Sequence, residues 1–94
     1  MIHVKVREDM ISMRGHAAGQ VPGNNIVCAA VSALTCNLVN SLEEFTESKI
    51  SAKTSSGEMD IKWDKLDDKG KLLIDSWFIG LSEINNKYSC ISWE

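Results

Sequence analysis

The chain is short of basic charge, of proline and of any pairing pattern for its cysteines. Its 94 residues carry 10 Lys and Arg against 13 Asp and Glu, a formal net charge of −3. No basic stripe is present to neutralise phosphates, which argues against a nucleic-acid partner. The mildly acidic balance suits a basic partner and is equally ordinary for a globular protein. The cysteines number three, Cys28, Cys36 and Cys90, so a closed disulfide framework is not expected. They form no CxxC pair, and no metal site is expected. Reduced thiols in a cytoplasm are the simplest account. The opening MIHVKVREDM is charged and lacks an apolar h-region, so no secretory signal is expected. No apolar run reads as long enough to cross a bilayer, and no membrane partner is expected. With no repeat, low-complexity segment or linker, residues 1–94 are expected to form one domain.

What is present is ordered periodicity. Ile2, Val4 and Val6 alternate with His3, Lys5 and Arg7, and Ile11 and Met13 continue an alternation after a turn at Glu8-Asp9. Together they predict a hairpin. Residues 17–23 form a loop containing Gly19, Pro22 and Gly23, and Asn24 or Asn25 can cap the helix that follows. Val27, Val31, Leu34, Leu38, Leu42 and Phe45 recur at steps of three and four, the buried stripe of a helix running to about Phe45. Cys28, Ser32 and Cys36 form a neighbouring row, and Cys36 reads as helix packing.

Ile50–Thr54 and Met59–Trp63 read as two strands joined at Ser55-Ser56-Gly57. Asp67 or Asp68 caps a second helix with Leu73, Trp77, Leu81 and Ile84 on its apolar face, widened by Ile74 and Phe78 and ended by Asn85-Asn86. Tyr88–Trp93 reads as a last strand containing Cys90. Trp63, Trp77 and Trp93 read as core and interface anchors. The expected fold is α+β, a single small domain with a mixed sheet and two packed helices in the order ββαββαβ.

The segment Gly15–Leu34 carries the chemistry. His16 ends a strand, a glycine-containing loop follows, and Cys28 stands in the first turn of a helix. There, unpaired backbone N–H groups favour negative charge. A thiolate is the nucleophilic form of cysteine, and a histidine folded back onto it makes the minimum pair for covalent acyl transfer. Taken alone, Cys28 reads first as a small buried core residue, and His16 as a surface histidine at a strand end.

The run G-H-A, a glycine-containing loop and I-V-C-A-A-V-S-A-L resembles the ribosomal-processing cysteine protease family, Prp. The motif is confined to residues 15–34; elsewhere the agreement is in the order and type of elements. The resemblance implies that Cys28 attacks a peptide carbonyl and His16 serves as general base, without a cofactor. It implies a substrate too: the precursor of the twenty-seventh large-subunit ribosomal protein, losing a short N-terminal extension after an apolar, aromatic-containing segment. It also implies a homodimer, and the loop with Gly19, Pro22 and Gly23 as a lid over the substrate.

Family members usually carry Asp three residues before the cysteine, where this chain has Asn25. An Asn orients a histidine without supplying charge, or acts here only as a helix cap. Ser32 matches the motif and stands as a substrate or thiolate contact, or as a helical serine bonded to its own backbone. A catalytically weak or silent paralogue, divergent or phage-derived, binding a ribosomal or capsid protein segment, is the alternative reading.

Overall fold

The computed structural model describes residues 1–15, 24–55 and 57–94, without the side chains of Asn24 and Asn25. Its elements are β1 (Ile2–Val6), β2 (Met10–Gly15), α1 (Asn24–Phe45), β3 (Ile50–Ser55), β4 (Glu58–Trp63), α2 (Asp68–Tyr88) and β5 (Ile91–Trp93). The order is the expected ββαββαβ. The strands form one mixed sheet, β3-β4-β2-β1-β5. Only the β1–β5 pair is parallel, and the other three pairs are antiparallel.

The strand alternation sorts the side chains. Val4 pairs with Met13, which pairs with Met59, and Ile11 pairs with Ile61. Val4, Ile11, Met13 and Ile61 are buried, as are Val27, Val31, Leu38 and Leu42 of α1 and Trp77 and Leu81 of α2. These residues form one core cluster. Between them on the strands stand His3, Lys5, Arg14, Asp60 and Lys62, a largely polar outer face. Trp63 is buried at the end of β4, and its indole N–H donates to the Glu8 carbonyl at 2.9 Å, fixing the β1–β2 turn against it.

Four details of side-chain burial and of the end of α2 differ from the pattern read in the sequence. Phe45 is 62% exposed although its helical angle matches that of Val27; as the last residue of α1 it lacks neighbours to cover it. Thr35 takes a buried place in the α1 stripe. Cys36 is exposed rather than packed. Nine residues at about 100° each carry it to the side of α1 opposite Val27.

The fourth detail is the end of α2. The helix runs past Asn85-Asn86 to Tyr88, and the last strand starts at Ile91. Ser89 adopts a left-handed conformation (φ 50°) and its N–H donates to the Asn85 carbonyl. The Asn85 side-chain oxygen accepts from the Ile91 N–H at 2.8 Å. Asn85 therefore guides the chain into β5 instead of stopping the helix. Trp93 in that strand remains 37% exposed, with Phe78 tilted against its ring.

Residues Ile26–Phe45 have the length and mean hydropathy of a membrane-spanning helix, contrary to the expectation of no such run. Their apolar side chains serve the core on one face of α1, where Val27, Val31, Leu38 and Leu42 pack.

Candidate active site

α1 begins at Asn24, which makes Cys28 its fifth residue. The thiol therefore stands at the start of the second turn, rather than in the first. Val27 and Val31 on either side are buried at 3% exposure, while Cys28 is half-buried. One residue beyond Val27 is a rotation of about 100°. That rotation lifts Cys28 to the flank of the buried stripe, where it touches the core and also reaches an open groove.

The groove has a volume of about 180 Å³. Cys28 and Ser32, one turn apart, stand along its α1 side with Val31 and Thr35. Ile2, Met13 and Met59 give it an apolar sheet side, and Thr54, Ser55 and Glu58 bring in the β3–β4 hairpin. The same hairpin is bonded to the end of β2: the Gly15 N–H donates to the Gly57 carbonyl at 2.8 Å. Gly15 has φ +104°, which disfavours other residues, and a Cβ there would collide with the Met1 carbonyl oxygen.

Thr35 closes the buried end. Its hydroxyl donates to the Val31 carbonyl at 2.7 Å and accepts from the Trp77 indole N–H at 3.1 Å. Arg14 stands across from Glu58 in the strand register and approaches both Glu58 (3.6 Å) and Asp60 (3.5 Å). Those pairs are exposed, and their attraction is correspondingly weak.

Cys28 and Ser32 are thus brought together on one groove. His16 and the lid residues Gly19, Pro22 and Gly23 lie outside the described residues, as does the side chain of Asn25. Asn24 and Asn25 are the first two helical residues of α1. His3, the other histidine, pairs with Glu94 at 2.6 Å on the exposed side of the molecule. Among the described residues no group of His, Cys, Asp and Glu is arranged to hold a metal ion. Cys90 is buried at the end of the sheet where β5 begins. Burial pushes its thiol above the ordinary value, and the charge of Cys28 pushes the same way. Its backbone hydrogen bond and the N-terminal charge oppose them.

Sequence periodicity carried a signal for Thr35, which follows Val27 and Val31 at the four-residue step. The hairpin side of the groove had none, because it depends on β4, rather than β3, lying beside β2.

Comparison with solved structures gives the same fold. A ribosomal processing protease Prp from S. aureus, in complex with a covalently linked product peptide, matches with a TM-score of 0.83. The identity is 23%, covering 99% of this chain and 95% of that one. The same protease with a substrate peptide matches with a TM-score of 0.84 at 22% identity, with equal coverage. The protein SMU.848 of Streptococcus mutans is 28% identical over 99% of this chain and 90% of its own, with a TM-score of 0.78. A search of curated proteins gave no significant match. The family model for cysteine protease Prp matches residues 1–91, nearly the whole length. From the sheet order to the thiol beside its groove, the chain belongs to the Prp family of cysteine proteases.

Proposed function

We propose that this protein is a cysteine endopeptidase that removes an N-terminal extension from a ribosomal protein precursor. The observation that carries the reading is Cys28 itself: in a chain of the Prp family, it is half-buried yet borders an apolar groove. Ile2, Met13, Val31 and Met59 suit an apolar peptide segment, and Ser32 offers a hydroxyl one turn from the thiol. β3 is an edge strand whose residues Thr54 and Ser55 reach the same groove. An extended peptide can add to such an edge through its backbone.

In the reaction, His16 takes the proton of Cys28, and the sulfur attacks the scissile carbonyl carbon. The tetrahedral intermediate carries its charge on the former carbonyl oxygen, where nearby backbone N–H groups stabilise it. The C–N bond then breaks, and His16 returns the proton to the leaving amine. A thioester remains on Cys28. Water, giving its proton to His16, attacks that carbonyl, and the carboxylate product leaves as the thiol is restored. Asn25 orients His16 in this scheme, and the segment with Gly19, Pro22 and Gly23 covers the peptide. The enzyme works in the cytoplasm as a homodimer and uses no cofactor.

The test incubates the protein with the extended ribosomal precursor and reads products by intact mass, beside Cys28→Ala and His16→Ala. One cut removing the extension, lost in both variants, is the expected result. Binding of the precursor without cleavage by the parent protein would overturn the protease reading. It would favour the second reading, a silent binding module, for which the Asn at position 25 in place of the family's usual Asp is the motivating departure.

A further inference from the structure

The groove beside Cys28 has walls that yield and a floor that does not. Met13 and Met59, cross-strand neighbours on β2 and β4, line its sheet side. A methionine side chain has several rotatable bonds and a polarisable sulfur, so it repacks around guests of different shape. Thr35 is the opposite case. It is 1% exposed, yet it lines the groove. Its hydroxyl donates to the Val31 carbonyl and accepts from the Trp77 indole N–H, and the Met13 sulfur lies 3.8 Å from the same oxygen. A β-branched residue in a helix has few rotamers, and these partners grip this one from its own helix, from α2 and from β2.

Thr35 follows Cys28 by seven residues, a distance of about 10 Å along the helix axis and a rotation that returns to nearly the same side of α1. Both residues border one groove, which therefore runs from the thiol along α1 to Thr35. A polar chain that reached this end would find the threonine proton already donated, and burying it without a partner is costly. An apolar chain pays no such penalty.

We infer that Thr35 sets the length of the apolar side chain accommodated beside Cys28, its carbon side being the floor on which that chain ends while Met13 and Met59 adapt to its shape. The inference rests on the reading of Cys28 as the thiol that meets a peptide, and it makes Thr35 a specificity-determining residue. The ligand it selects is one large apolar side chain of that peptide, measured by length rather than by outline.

The test uses the thiol as an anchor and needs no peptide cleavage. In a Cys36→Ser background, Cys28 is labelled with alkyl methanethiolsulfonates bearing straight tails from methyl to octyl. The Cys28 sulfur bonds to the alkyl-bearing sulfur, and methanesulfinate leaves. Peptide mapping checks that the label is on Cys28 and that buried Cys90 is free. The unfolding midpoint of each adduct should rise while added methylenes are buried, then fall at the tail that presses on Thr35. Thr35→Ser keeps the hydroxyl and removes one methyl, so the break should move to tails longer by about one carbon. Thr35→Val keeps the shape and loses the hydroxyl; its midpoints should be lower throughout with the break unmoved. Peptides carrying the same ladder of side chains should shift their preferred length in step. A break at the same length in Thr35→Ser as in the parent, or no break up to octyl, would overturn the inference. A shifted break in a protein that cleaves no peptide would reject the protease reading and uphold the role of Thr35; cleavage with an unshifted break would do the reverse.

Discussion

Thr35 carries a hydroxyl into the contact between α1 and α2, where its donor and acceptor are both engaged. A Thr35→Val variant keeps the shape but leaves the buried Trp77 N–H unpaired. A loss of about 1–3 kcal/mol is expected from urea unfolding of the purified variant. Thiol reactivity tests Cys28 at the same scale. It should alkylate with iodoacetamide faster than Cys36 or Cys90 near neutral pH, and slow in His16→Ala; equal rates at all three would contradict activation. The row Cys28, Ser32, Cys36 explains what the sequence could convey here. Each four-residue step turns about 40° further from the core, so one row contains a half-buried thiol, an exposed groove hydroxyl and an exposed cysteine on the far side. Spacing places those residues on a shared side of a helix. It does not say where along that drift the groove opens.

At the scale of elements, the seven segments were legible because strand and helix periods alternate cleanly along the chain. The ends were less so. Asn85 reads as a stop, yet its side chain accepts from the Ile91 N–H beyond the helix end and leads the chain into β5. The α2 start was legible to within one residue: of Asp67 and Asp68, Asp67 caps it, accepting from the Gly70 N–H at 2.8 Å. Asp67→Ala should cost about 1 kcal/mol, seen as a lower urea midpoint with unchanged slope. The hairpin β3–β4 was readable as a hairpin but not as a side of the groove, since local alternation contains no information on which strand β4 would join.

For the whole molecule, Cys90 couples stability to alkaline pH. Its folded thiol titrates above the ordinary value of 9.0. Below that value both folded and unfolded chains keep the proton, and the contribution is complete. As pH rises from there towards the folded value, the unfolded chain ionises first and stability falls. Unfolding midpoints measured from neutral pH to above pH 9 should therefore decline, with a shallower decline in Cys90→Ala. An identical slope in both proteins would remove Cys90 as the cause.

The parallel pairing of β1 with β5 has a consequence for the order in which the protein is made. Ile2 and Ile91 are neighbours in the sheet although most of the chain separates them. During synthesis β1 emerges early, and one side of its backbone stays unmatched until residues 91–93 follow. The Ile2 N–H finds its acceptor at Cys90 in the same late event, and Ile2 lines the groove. A nascent chain, however complete its helices, therefore carries beside the groove an open edge of β1 that β5 alone closes.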